Sequence, residues 1–414
     1  MNVAVIGAGI SGLGAAYVLQ REHRVTVFEQ ARRPGGHAQT REVERGGRTY
    51  PVDTGFVVYN ETTYPSFVRL LELLGVDSRP TSMSFGVRCD ATGLEYCGTS
   101  LNTVFAQRRN LLRPSFLRLL IDILRFNGRA DRDLREASPT DTLGDYLSRG
   151  GYSEAFRAYY LGPLVAAIWS LDPARVHEFP LRFLVTFLSR HRLLRVRRQL
   201  RWRVVRGGSA RYVERLVGAL RDGVHTGATV RSVRRGTDQV EIAVDPDERL
   251  RFDHVVIATH SDQALHLLAD PSEAEREVLG AIEYQANEGT LHTDTSLLPR
   301  NRRARANWNY RVPRRARGAP VTTYDMSGLQ GLDSDVPLCI TLNDSDAVDP
   351  DRTIYRQTYS HPVYTTAAIA AQRRWDAISG VRNTHYCGAY WGAGFHEDGL
   401  ASALAVCRRF GLEL

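Results

Sequence analysis

The stretch NVAVIGAGISGLGAAYVL, residues 2–19, constrains the fold more than any other part of the chain. A short apolar strand, Val3 to Ile6, runs into Gly7, Gly9 and Gly12 in G-x-G-x-x-G spacing, with Ser11 inside the turn and helix-forming residues after it. Gly7 permits the tight turn, Gly9 lets backbone approach a pyrophosphate, and Gly12 lets the helix pack on the strand. The helix N-terminus adds free N–H groups and a partial positive charge. A second strand, RVTVFEQ, ends in Glu29 and Gln30. Glu29 is the acid expected about 20 residues on, where it holds a ribose hydroxyl. Together these features predict a dinucleotide-binding βαβ unit.

The segment after Glu29 points to FAD rather than NAD. In QARRPGGHAQT, Arg33, Gly35 and Gly36, with His37 after them, fit the R-x-G-G element of two-domain FAD proteins. VDTGFVVYN sets Asp53, Thr54 and Gly55 where such proteins turn beside the isoalloxazine. The strand opened by Val230 is expected to meet the adenine. VRGGSARYV (Gly207, Gly208) lacks the spacing of a second dinucleotide fingerprint. FAD, held without a covalent bond, is therefore the expected cofactor.

A second glycine cluster lies near the other end, in HYCGAYWGAGFHEDGLASALAV, residues 385–406. THYCGAY reads as the last strand of the FAD domain. The helix LASALAVCRRF is expected to start after Gly399, with Asp398 as its N-cap. Its N-terminus would favour negative charge on a reduced flavin by about 0.3–2 kcal/mol. Gly388, Phe395, Asp398 and Leu400 are the expected contacts.

This ordered set (GAGISG, Glu29, RPGG, VDTGF, RGGS, the Val230 strand, GAYWGAGFHEDG) resembles the flavin-containing amine oxidoreductase superfamily, which includes monoamine oxidases, protoporphyrinogen oxidase and phytoene-type desaturases. PVDTGFVVYNETTYP, FAQRRNLLRPSF, AAIWS, VVIATHSDQAL, LHTDTSLLPR and GFHEDGL look more narrowly like bacterial predicted NAD/FAD-binding oxidoreductases. Those tend to be encoded beside cyclopropane-fatty-acyl-phospholipid-synthase-like methyltransferases. That likeness implies a lipid acyl substrate, some relatives being thought to desaturate methylated chains on the way to furan fatty acids, and a methyltransferase as a partner to test. The chain departs from amine oxidases in one respect. No lysine occurs, so all 54 basic residues are arginine and the lysine–water pair of those oxidases is impossible.

The fold expected is α/β: a Rossmann-like FAD-binding domain of the two-domain amine-oxidase type, with a discontinuous α+β substrate domain. The FAD domain is assigned 1–60, 204–265 and 376–414, and the substrate domain 61–203 and 266–375. YPSFVRLLELLGV, PSFLRLLIDILRFNGR and FRAYYLGPLVAAIWSL read as helices, the first ending at Gly75. SMSFGVRC and GLEYCG read as a hairpin. The odd count of five cysteines, without a Cys-x-x-Cys pair, argues for a reduced, cytoplasmic chain without a metal site. Opening directly on a strand leads to the expectation of no signal peptide.

Near the flavin, His396, Tyr390 and Tyr59 are the catalytic candidates. His396 is the one suited to acid–base work, set against plain packing beside the cofactor. Tyr390, Trp391 and Trp169 could wall an apolar tunnel or simply pack. Glu397 and Asp398 suit cap and ribityl contacts better than a catalytic pair, and Cys387 suits the core. Eight arginines lie between Arg190 and Arg206, interleaved with Leu193, Leu194, Val196, Leu200 and Trp202. That leaves two readings of 183–206, a contact with an anionic membrane surface and a solvated face. The first would put the protein peripherally on the inner membrane face. Nucleic acid finds no support. The function expected is desaturation or dehydrogenation of an apolar, lipid-linked chain. An amine or amino-acid oxidase and a redox-neutral flavoprotein are the alternatives.

Overall fold

A computed structural model of the chain describes residues 1–195, 200–315 and 318–414. The glycine fingerprint sits in a five-stranded parallel sheet. Its strands are β1 (Asn2–Ile6), β2 (Arg24–Glu29), β3 (Val224–Thr226), β4 (His254–Ile257) and β5 (Thr384–Tyr386), in the order β3-β2-β1-β4-β5. Side chains alternate across a strand, and β1 shows the consequence. Val3 and Val5 face a helical layer, whereas Ala4 and Ile6 face the antiparallel strands Val230–Arg235, Val240–Val244 and Glu248–Phe252. Coverage on both faces is why NVAVI is apolar throughout rather than alternating.

The helices that position the site are α1 (Ile10–Leu19), α2 (Pro65–Leu74), α3 (Pro114–Asp133), α4 (Gly162–Trp169), α5 (Leu181–Arg190) and α6 (His396–Arg409). α1 and α6 pack closely because glycine stands at the crossing. A Cβ on Gly14 would lie 2.6 Å from Leu400 Cδ1, and one on Gly399 would lie 2.9 Å from Ser11 Oγ. α2 ends at Gly75 in the left-handed conformation. The stretch FRAYYLGPLVAAIWSL is not one regular helix. A π turn over Arg157–Leu161 precedes α4, and Pro163, which has no N–H to give, sits in α4's first turn.

A second, seven-stranded mixed sheet runs Thr353–Val363, Glu283–His292, Cys339–Leu342, Val321–Asp325, Trp308–Val312, Phe85–Cys89, Glu95–Cys97. Its last two strands are the expected hairpin, joined to the rest by a parallel pairing with Trp308–Val312. Asp53 fastens this half to the first. Its Oδ1 accepts hydrogen bonds from Thr40 Oγ1 (2.6 Å), Ser209 N (2.7 Å) and Ser209 Oγ (2.8 Å), and its Oδ2 accepts one from Gln330 Nε2 (3.0 Å).

In the arginine-rich stretch, Val196, Arg197 and Arg198 lie outside the described residues. Of the rest, Leu194 and Leu200 are buried, while Leu193 and Trp202 are half-buried and line an internal cavity. Its described apolar side chains are thus turned inward.

Candidate functional site

A cavity of about 1000 Å³ runs between the two sheets. It begins at the C-terminal ends of β1 and β2, where ligands bind in open α/β sheets. Gly7, Gly9, Ser11, Glu29, Gln30 and Val230 line this end. Gly7 has φ +101, and a Cβ there would lie 2.9 Å from the Ala258 carbonyl oxygen. Gly12 does not reach the cavity. A Cβ on it would lie 1.8 Å from Gly7 O, so it closes the helix onto the turn. Gly9 is different: a Cβ there would meet only Gly36 Cα, at 4.0 Å, and would otherwise enter open space. Glu29 is steadied by the amides of Ala8 (2.8 Å) and Ala31 (2.9 Å) while still facing the cavity.

Gly35, Gly36, His37, Thr54 and Gly55 line the middle, and Gly388, Tyr390, Phe395 and His396 line the far end. A further part of its wall, hereafter the arm, includes Leu164, Ile168, Trp169, Phe187 and Trp308, which pack in one apolar cluster. Trp169 also ties this arm to the glycine turn, donating from Nε1 to the Ala393 carbonyl at 3.1 Å.

Several expected residues stand elsewhere. Tyr59 is buried edge-on against Phe67 (5.2 Å) and Tyr64 (6.3 Å), off this cavity. The reason is strand alternation: Val58 takes the cavity side, so Tyr59 takes the other. Trp391 likewise turns away where Tyr390 faces in. Arg33 is exposed and does not line the cavity. The Leu400 side chain is spent on α1. Asp398 is not the N-cap of α6, because the helix begins earlier, at His396, with Phe395 as cap. Asp398 reaches back from the third helical position and accepts from Phe395 N at 2.9 Å. Burial raises its pKa to about 6. Glu397 caps a different helix, accepting from Ser66 N (3.0 Å) and Phe67 N (2.9 Å) at the start of α2.

Residues 10–301 match the model of the family described as flavin containing amine oxidoreductase. The chain belongs to that family. Among solved structures it is similar to cyclohexylamine oxidase from Brevibacterium oxydans IH-35A (18% identity, TM-score 0.70, covering 99% of each chain). It is also similar to a fatty acid isomerase from P. acnes that produces CLA (15% identity, TM-score 0.71, covering 99% of this chain and 98% of that one). Identities this low speak for the fold alone. A local match of 51% over 47 residues relates it to an L-amino-acid oxidase of Daboia russelii, covering 11% of this chain and 9% of that protein. The curated relatives are thus matched over a small part of their length.

The cavity of this amine oxidoreductase fits the family's flavin. The open space over Gly9 is a cradle that a side chain would fill. Tyr364 Oη is a buried hydroxyl on the wall that makes no hydrogen bond among the described residues. Phe395 and His396, at the start of α6, line the same space. Cys387 and Cys407 are buried in the core, and none of the five cysteines lines the cavity.

Sequence reasoning missed a histidine cluster. His37 lies 5.5 Å from His361 and 6.0 Å from His260, ring to ring, and His260 stacks on Tyr284 at 4.6 Å. Burial, then the neighbouring rings, drives His37 well below its usual pKa, and burial lowers His361 to about 4. Asn287 Nδ2 donates to His361 Nδ1 at 3.1 Å, its own Oδ1 being taken by Asn343, so the His361 proton resides on Nε2. His396 stacks on Phe56 (3.5 Å) and pairs with Tyr212 Oη (2.9 Å). Burial lowers its pKa to about 3. Burial thus favours its neutral form, with one ring nitrogen carrying a proton and the other free to accept. His37 was legible as the residue after RPGG. His260 and His361 carry no local signal, since remote segments bring them there.

Proposed function

We propose that the protein is an FAD-dependent dehydrogenase or desaturase of an apolar, lipid-linked acyl chain. The lining of the cavity arm carries this reading. Among the described residues, the Asp, Glu and Arg side chains of the cavity wall are Glu29, Arg231 and Asp262, all on the FAD-side strands and helices rather than in the arm. An ammonium group or an amino-acid carboxylate entering the arm would shed its water without finding a counter-ion, a cost of several kcal/mol. An acyl chain has no such cost and gains about 0.8 kcal/mol per buried CH₂. The missing lysine and the likeness to methyltransferase-associated oxidoreductases point the same way. The fold is neutral on the question, since both an amine oxidase and a fatty acid isomerase share it.

FAD, when bound, supplies the two-electron acceptor. In this reading Gly9 and the start of α1 hold its diphosphate and Glu29 its ribose. The start of α6 supports the ring end without a covalent bond. Phe395, Tyr364 and Trp169 orient the chain and exclude water, and the Nε2–H of His361 offers a donor without bringing a charge.

The test is anaerobic. Purified holoprotein is mixed with phospholipid vesicles carrying methyl-branched or monounsaturated chains, and the visible flavin band is followed. Bleaching, with a product lighter by two hydrogens in mass spectrometry, is expected. An unbleached flavin that primary amines or L-amino acids do bleach would overturn the proposal. A moved double bond without bleaching would instead make the protein an isomerase.

A further inference from the structure

Six of the ten large apolar side chains exposed among the described residues fall between Leu101 and Leu124. Leu112 is 88% exposed, Leu101 79%, Leu124 61% and Ile121 56%. On α3, Leu117, Ile121 and Leu124 recur at four and then three residues, which places them on one stripe. Phe116, Leu119, Phe126 and Ala130 form the opposite, packed face. The helix is therefore apolar on two sides, and only one of them is covered. Exposed apolar side chains grouped in this way mark an interaction site.

Its charge is predominantly positive, although α3 ends in Asp131 and Asp133. Between residues 96 and 130 there are six arginines and one acid, Asp122. That acid is fully buried and bound by Arg118 and Arg125. Among the described residues Arg108, Arg109 and Arg113 form no ion pair. Their hydrogen bonds go to the Asn102 side chain and to the carbonyls of Phe105, Gly93 and Thr92.

We propose that this face, with Leu112, Ile121 and Leu124 at its centre and Arg108, Arg109 and Arg118 at its rim, docks on an anionic phospholipid bilayer. A bilayer supplies hydrocarbon and negative headgroups at neighbouring depths, which is what an arginine-rimmed leucine stripe complements. A second copy would set these arginines against themselves across a two-fold axis, a like-charge contact. No helix among the described residues is long and apolar enough to cross a membrane, so the attachment is peripheral. α3 also packs on α5, whose Phe187 lines the cavity. The surface stands whether or not the substrate is a lipid, and it differs from the 183–206 stretch.

Flotation of the FAD-loaded full chain tests it. Wild type should float with vesicles of equal parts phosphatidylglycerol and phosphatidylcholine. It should float poorly with phosphatidylcholine alone, and salt should weaken binding. The triple substitution Leu112→Glu, Ile121→Glu, Leu124→Glu should weaken binding at least about tenfold with flavin content unchanged. Should that variant misfold, Arg108→Glu with Arg109→Glu, both exposed, should give a comparable loss. Failure of wild type to float, or equal flotation of a folded variant, overturns the proposal. So does a dimer that the triple variant abolishes without any vesicle binding.

Discussion

Alanine at Gly9 and alanine at Gly12 should fail in different ways. Gly9 has φ −77 and ψ −176, a conformation open to alanine, and its new methyl would meet only Gly36 Cα at 4.0 Å. The apoprotein of Gly9→Ala should therefore keep its stability to within about 1 kcal/mol, with a gain as feasible as a loss. The methyl would occupy the space assigned to the diphosphate. Losing one charge-assisted hydrogen bond to a phosphate costs about 1.5–3 kcal/mol. That corresponds to FAD binding weaker by roughly 10- to 100-fold. At Gly12 the methyl would stand 1.8 Å from Gly7 O, so α1 would have to lift from the turn. Overpacking of that kind costs about 1–3 kcal/mol or more, and it appears without any cofactor. The assay is denaturant unfolding of both apoproteins beside FAD titration followed by flavin fluorescence quenching. Wild-type FAD affinity in Gly9→Ala would refute the placement of the diphosphate. An apoprotein as damaged as Gly12→Ala would refute the reading of the open space.

The same geometry predicts three further outcomes. Ala167→Phe, which fills the arm from α4, should leave flavin content intact and abolish flavin reduction by acyl substrate, as anaerobic spectra would reveal. Asp53→Ala removes the buried acceptor shared by the Ser209 amide, two hydroxyls and the Gln330 amide; denaturation should show a loss of about 3 kcal/mol or more. Acid should weaken the apoprotein. His292 and His361, held to about 4, and His385 and His396, held to about 3, refuse protons that the unfolded chain takes up below about 6.5. The unfolded state then binds more protons, so this stability is present above pH 6.5 and is lost as pH falls toward 4. Asp53 and Asp398, raised to about 6, act in the opposite sense. His37, His191, His254 and His260 are lowered as well, so the depressed histidines outnumber the raised carboxylates and a net loss of stability on acidification is expected, readable from denaturant midpoints.

Local backbone demands were legible in the sequence. The turn at Gly7, the close approach at Gly12 and the cap at Gly75 each write a residue type at a fixed place, and the α/β class comes from them. Polar groups whose partners are remote were not legible. Glu397 looks like a cap for its own helix, yet it serves α2, which only the folded chain brings near. Asp398 reads correctly as a capping acid but at the wrong position. A residue at the third helical position can reach back to the cap amide, and the glycines before it blur the helix start. Tyr59 misleads because its strand is short and pairs with remote segments, so its alternation is hidden. The exposed stripe on α3 is masked for another reason. The same leucine periodicity supplies both the core face and the outer one, and only burial separates them.

The most direct test of the central claim is a crystal structure of the oxidised holoprotein with a monounsaturated fatty acid bound. The account predicts FAD running from the Gly7–Gly12 turn to the start of α6, with the acyl chain against Leu164, Trp169 and Phe187. A flavin ring lying elsewhere, or a fatty acid bound outside this arm, would contradict it.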